Sequence, residues 1–360
     1  MKSRILRMAA LLAAIALIAA ACGGDAEPTT TTAAPDTGAE TTMAPETTMA
    51  PDAGGELSQW GIPIIDPFEV SEGTIGIAGS STVFPLSTAL MARWEDEGGP
   101  NYPIDSVGSG GGLERFCVEG ASDIANASRA IEQGEIDACA EIGRTIIPVR
   151  VGSDALSLVV SPGNYFAQEL TLEEIATAFS HTDSGATWAD VNPEFPGHPI
   201  ALFTPGTDSG TFDYFNEIVF EEADPSPILS SIAQIVGEDD NLTVQGVSQD
   251  GCTEGDESTT CAIGYFGYAY YQENADVLQV VTVDGVVPSD ESVNEGTYPI
   301  SRPLYMYTAS EVVSEKPQVA EFMAYYLNNV NEVIGDVGYF PAPDEALQEA
   351  ADNIKAAAGW

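Results

Sequence analysis

Three times in this 360-residue chain, a short apolar run stops in a cluster of glycine and hydroxyl residues and passes straight into a helix-forming segment. The first passage is Ile75-Gly-Ile-Ala-Gly79-Ser80-Ser81-Thr82, leading into Pro85–Glu97. The second is Val107-Gly108-Ser109-Gly110-Gly111-Gly112, leading into Leu113–Gly120. The third is Phe203-Thr-Pro-Gly206-Thr207-Asp208-Ser209-Gly210-Thr211, leading into Phe212–Phe220. Strand followed directly by helix is the repeating unit of α/β architecture. Strands are expected at Thr74–Gly79, Pro103–Gly108, Asp123–Ser128, Leu156–Val160, Ile200–Thr204 and Leu278–Val283. Helices are expected at Ser81–Glu97, Gly111–Gly120, Thr171–Phe179, Ser209–Glu221, Pro317–Val333 and Asp344–Ala358. Thr171-x-x-Glu174 has the form of a capping box.

Each junction has a chemical consequence. The first turn of a helix exposes unpaired N–H groups and a partial positive charge. Glycine lets backbone come close to a ligand, and Ser or Thr hydroxyls add donors. One such cluster reads as an N-cap and a turn. Three of them aimed at one point would hold a small tetrahedral oxyanion by neutral dipoles.

The charge balance narrows the partners. Eleven Lys+Arg face 56 Asp+Glu, a formal net charge of −45. Lys2, Arg4 and Arg7 lie in a leader; without it eight cations face 56 carboxylates, or −48. A field of that sign repels nucleic-acid phosphates and anionic headgroups, so no nucleic-acid partner is expected. It does not forbid a small anion, because salt confines the global field to about 8–10 Å and local donors decide.

The three leader cations precede an apolar run from Met8 to Ala21, too short to span a bilayer comfortably, and then Cys22-Gly23-Gly24. Ala19-Ala20-Ala21-Cys22 resembles a bacterial lipobox, with Ala19 where Leu is usual, which implies a lipoprotein signal peptide over residues 1–21 and Cys22 as the lipidated N-terminus. An ordinary secretion signal is the alternative. Residues 22–56 carry that Cys and a Thr/Pro/Ala tether with a tandem Thr-Thr-Met-Ala-Pro repeat, unable to bury a core. Four cysteines remain: Cys117, Cys139, Cys252 and Cys261. An even count in an exported chain favours two disulfides, with local pairing of Cys117–Cys139 and Cys252–Cys261 expected among three connectivities. A metal site is the rival reading, but separations of 22 and 9 match no Cys-x-x-Cys ligand pair.

A set of motifs then points to a family. Gly79-Ser-Ser-Thr-Val-Phe-Pro85, Val107-Gly-Ser-Gly-Gly-Gly112, Asp123-Ile-Ala-Asn-Ala-Ser-Arg-Ala130, Gly206-Thr-Asp-Ser-Gly-Thr-Phe-Asp-Tyr-Phe215 and Gly264-Tyr-Phe-Gly-Tyr-Ala-Tyr-Tyr271 together resemble the PstS family, the phosphate-binding proteins of high-affinity phosphate ABC transporters. The resemblance runs from about residue 74 to 310 in the family's order. It implies a two-lobed α/β fold of the type II periplasmic-binding kind, with a two-strand hinge and ligand in the cleft between lobes. The expected division is 72–151 for the first part of lobe I, 152–298 for lobe II, and 299–360 for the return to lobe I.

Carried over residue by residue, the resemblance implies phosphate contacts from Ser81, Thr82, Ser109, Ser209, Gly210 and Thr211. Two positions depart from the family pattern. Ser128 stands where an Asp is usual, and Pro205 where an Arg is usual. Arg129 follows the first and Asp208 the third loop's Thr207, so the cation and the proton-accepting carboxylate are expected to have exchanged segments. Arg129 would give charge-assisted bonds to phosphate. Asp208 would accept the proton of HPO₄²⁻, which sulfate lacks; as an alternative it is an N-cap. Arg302, in Ser301-Arg-Pro-Leu-Tyr305, is a second cationic candidate and is read as a structural pair.

An enzyme is not expected. His181 and His198 lie in loop sequence, no Gly-x-Ser-x-Gly frames Ser81 or Ser209, and no His/Asp cluster suggests metal-assisted hydrolysis. The expectation is a monomeric, cofactor-free and metal-free binding lipoprotein outside the cytoplasm, held to the membrane by lipid, that passes phosphate to ABC permease subunits. Its rivals are a binder of sulfate or arsenate, a secreted phosphatase, and an adhesive lipoprotein using the aromatic run Tyr265–Tyr271.

Overall fold

A computed structural model describes residues 56–207, 209–221, 223–237 and 239–360 of the chain. The leader, Cys22, nearly all of the tether and Asp208 lie outside the described residues.

The first sheet half is built as the strand–helix junctions require. β1 (Ile77–Gly79) runs into α1 (Phe84–Asp96), β2 (Ile104–Ser106) into α2 (Gly108–Cys117), and β3 (Ile124–Ala127) into α3 (Gln133–Glu141). β1 lies between β2 and β3, parallel to both. α1 buries Leu86, Leu90, Met91 and Trp94, a spacing of three to four residues that lines one helical face. Trp94 meets Phe322 and Tyr325 edge-on, with ring centroids 5.4 and 4.9 Å away. Disulfide Cys117–Cys139 joins the end of α2 to α3.

The chain then crosses to a second half along β4 (Ile146–Val160), a strand of 15 residues. There α4 (Leu172–Phe179) opens with Thr171 and Glu174 in reciprocal capping bonds, the box legible in the sequence. β5 (Ile200–Thr204) leads into α5 (Gly210–Phe220), and β6 (Gln234–Ile235) into α6 (Asp240–Ser248). β7 (Cys261–Gly267) pairs antiparallel with β4 and parallel with β5, then passes into α7 (Tyr268–Glu273). A second disulfide, Cys252–Cys261, fastens the start of β7.

The return runs along β8 (Ser301–Ala309), antiparallel to both β3 and β4. It is followed by α8 (Pro317–Val333), the short β9 (Phe340–Pro341) and α9 (Asp344–Ala358). The strand order is β2-β1-β3-β8-β4-β7-β5-β6, and β9 pairs with β4.

Two large hydrophobic cores lie on this one sheet. β4 gives Ile147, Val149 and Val151 to the first core and Ala155, Leu156, Leu158 and Val160 to the second. β8 gives Leu304 and Met306 to the first, while Ile300, just before it, packs in the second. Gly152–Asp154 and Ser301–Pro303 thus form the passage between cores. Trp60 and Ile62 also pack into the first core, with Ile354 of α9. Among the described residues, no helix is long and apolar enough to cross a membrane.

Candidate functional site

The first junction is held from within. Ser80 donates its N–H to the carbonyl of Asn126 (2.9 Å), and its hydroxyl accepts from the N–H groups of Thr82 and Val83 at 3.2 and 3.4 Å. Two cavities border this junction: Ser81 and Thr82 line both, and Ser80 lines the second with them. α2 begins at Gly108, so Ser109, Gly110 and Gly111 form its first turn, whose N–H groups have no partner within the helix. The approach is close: a Cβ on Gly112 would lie 2.4 Å from the Cα of Gly79. The Ser109 hydroxyl accepts from the N–H of Ser128 (3.1 Å) and sits 3.2 Å from its Oγ, tying the second junction to the end of β3.

The third junction comes from the second core. Thr204, ending β5, shares a 2.6 Å hydrogen bond with the Tyr265 hydroxyl. Ser209 caps α5 by accepting from the N–H of Thr211 at 3.3 Å. Nothing lies within 4 Å of where a Cβ on Gly210 would stand, so this helix start opens on free space.

Between them sits Arg302, buried in β8. Its Nε donates to Oδ2 of Asp154 (3.2 Å), and its Nη1 donates to Oε2 of Glu217 on α5 (3.1 Å). The guanidinium carbon lies 3.5 Å from the centre of the Tyr214 ring, a stacked cation–π contact. Among the described residues, Nη2 has no hydrogen-bond partner. Burial raises the pKa of Asp154, and the Arg302 charge opposes it. Burial likewise pushes the Tyr214 hydroxyl well above its ordinary range, keeping it neutral under the cation.

Two cavities of about 520 and 590 Å³ meet here, sharing Ser81, Thr82 and Arg302 as walls. Ser209, Gly210, Thr211 and Asp154 line the first; Ser109, Ser128, Arg129 and Glu217 line the second. Every phosphate-site residue expected from the sequence and described in the structure therefore lines one or other of two cavities that share Ser81, Thr82 and Arg302 as walls. The walls bring donors together, three helix starts, several hydroxyls and one buried guanidinium, alongside carboxylates, among them Asp154, Asp240, Glu217 and Glu273.

Arg129 borders the cleft with its fork turned aside. Its two Nη atoms donate to the two Glu135 oxygens at 2.9 and 2.8 Å, and Glu132 lies 3.7 Å away. That bond raises the pKa of Arg129 and lowers that of Glu135. Arg302, read from the sequence as a structural pair, forms such a pair and also faces the cavity. The sequence reading did not single out Asp154, Glu217 or Tyr339. Asp154 and Arg302 are register partners across β4 and β8, a relation that only strand pairing brings out.

Comparison with known proteins gives this geometry its context. The PBP superfamily domain matches residues 31–330. Protein SphX of Synechocystis sp. is 36% identical over 294 residues, covering 79% of this chain and 83% of that protein. Phosphate-binding protein PstS of Staphylococcus saprophyticus is 30% identical over 289 residues, covering 79% and 85%. Among solved structures, that of a possible phosphate binding protein from Planctomyces limnophilus superposes with a TM-score of 0.70 at 33% identity, over 79% of this chain and 99% of that one. With its two cores strung on one sheet and its three helix starts at a common cleft, this chain belongs to the PBP superfamily, as a relative of the PstS phosphate-binding proteins.

Proposed function

We propose that this protein captures inorganic phosphate in the cleft between its two cores and delivers it to the permease of an ABC transporter. One observation carries the reading: the starts of α1, α2 and α5 line two cavities that share Ser81, Thr82 and the guanidinium of Arg302 as walls. Ser81, Thr82, Ser109, Ser128, Ser209, Gly210 and Thr211 would donate to the phosphate oxygens, and Arg302 would supply the cation through Nη2. Arg302 suits that role better than Arg129, whose fork is already filled by Glu135. Asp208, in the third junction's sequence, is the carboxylate we assign to the phosphate proton. Asp154 is occupied by Arg302. The chain acts by binding and release, outside the cytoplasm, as a monomer anchored through lipidated Cys22 and its tether. Residues 72–151 and 299–360 form the lobe that carries α1 and α2, and residues 152–298 the lobe that carries α5.

Calorimetric titration with phosphate and with sulfate tests the reading. Tight phosphate binding with weak or absent sulfate binding is the expected result. Equal affinity for both would make the site a general oxyanion binder, and no heat with phosphate would overturn the proposal.

A further inference from the structure

The segment between α8 and α9 borders the cleft although it contains none of the three junctions. A 3₁₀ turn, Ile334–Val337, ends at Gly338, whose φ of +87° is a left-handed conformation that glycine adopts without strain. The reversal delivers Tyr339 against the first junction, where its hydroxyl donates to the carbonyl of Thr82 at 2.9 Å. Tyr339 is itself part of the cavity wall, with Thr82 and Arg302.

A trans peptide unit is planar, with its C=O and N–H pointing in opposite directions. Holding the Thr82 carbonyl therefore fixes where the N–H of Val83 points. That N–H is only loosely held by Ser80 Oγ, at 3.4 Å. The next residue in the segment is fixed to a different body. Phe340 pairs with Ser153 of β4 and places its ring in the second core, 4.9 Å from that of Tyr268. Two consecutive side chains thus reach opposite sides of the cleft, one to the anion-binding turn of α1 and one to the core that carries α5.

We propose that Tyr339 is a positioning residue for phosphate: it sets the Thr82–Val83 peptide plane and couples it, through Phe340, to the second core. The proposal rests on the phosphate reading above. Tyr339→Phe removes one hydroxyl and keeps the ring. Losing a neutral hydrogen bond of this kind should lower phosphate affinity about fivefold to tenfold. The loss should appear as faster dissociation with little change in association, because the donors remain but are less well set. In the ligand-free protein, the Val83 amide should shift in a ¹H–¹⁵N spectrum while the melting temperature stays within a degree or two of wild type.

Unchanged affinity with an unmoved Val83 amide would overturn the proposal. So would an affinity loss matched by a large drop in melting temperature, which would make Tyr339 a packing residue only. If wild-type protein fails to bind phosphate, the functional reading falls, while the Val83 shift in the ligand-free variant still decides whether Tyr339 sets that peptide.

Discussion

Arg302 and Asp154 face each other as register partners on the two strands that join the cores, with Nε and Oδ2 3.2 Å apart. Both are buried, so the pair is a charge relationship taken out of water rather than a surface contact. Asp154 holds one edge of the guanidinium, Glu217 a second, and Tyr214 its face. The guanidinium is thus restrained on two edges and one face, and it lines both cavities.

Arg302→Lys should weaken phosphate binding about tenfold to a hundredfold, because an ammonium cannot keep the Asp154 and Glu217 bonds and still face the ligand. Arg302→Ala should also cost roughly 3–5 kcal/mol of stability by leaving Asp154 buried without its partner. Arg129→Ala should change affinity less than about threefold, since its fork serves Glu135. Calorimetry and denaturant unfolding on the three variants check the assignment; a reversed ranking would give the ligand role to Arg129.

The Arg129–Glu135 pair makes a prediction about acid. Arg129 lowers the Glu135 pKa below the ordinary glutamate range. The pair's contribution to stability is therefore complete above the unfolded value, about 4.3, and is lost as pH falls through the lowered folded value. Arg129→Ala should return the Glu135 titration, followed by carboxyl ¹³C shifts, toward the usual range. It should also flatten the acid side of the stability curve, and an unmoved Glu135 titration would count against the pair.

Gly112→Ala places a methyl group where the Gly79 backbone already stands, 2.4 Å from its Cα and 2.8 Å from the Ala78 carbonyl oxygen. Neither neighbour is a flexible side chain, so α2 must move away from β1. A destabilisation of at least about 1–3 kcal/mol is expected, with weakened phosphate binding because both junctions shift. Unfolding and titration on one sample show whether the two losses travel together.

Replacing Cys117 and Cys139 together by Ala opens a loop closed over a sequence separation of 22. Chain entropy alone puts the cost at about 3 kcal/mol. Because Cys117 is the last residue of α2, at the end away from Ser109, phosphate affinity should survive at temperatures where the variant stays folded. A variant as stable as wild type would mean that packing of α2 on α3 already supplies the restraint.

Much of this arrangement was legible where local signals agree. Ile200–Thr204, Pro317–Val333 and Asp344–Ala358 have the bounds expected of them. The start of α2 came out three residues earlier than the sequence suggested, because glycine runs argue against helix while close packing on Gly79 requires them. β8 and the first half of β4 escaped notice for a related reason. Pro148 and Pro303 interrupt them, and proline in a run counts against a central strand. The hydroxyl and glycine residues that line the cavities were readable because they sit at strand–helix junctions. Arg302, Asp154 and Tyr339 meet the cleft through strand pairing and a distant turn, which no local pattern encodes.

The first core closes the chain on itself: Lys355 of α9 donates to the Gly61 carbonyl at 2.8 Å, and Gln348 donates to that of Trp60 at 3.1 Å. Traction applied to the chain ahead of Leu57 is thus borne by α9 and the first core, and its load path ends there without passing through Gly152–Asp154 or Ser301–Pro303. The second core is spliced into the first and carries none of that force. On the proposed anchoring through Cys22, a pull on the N-terminus and the proposed capture of phosphate would fall on different parts of one sheet.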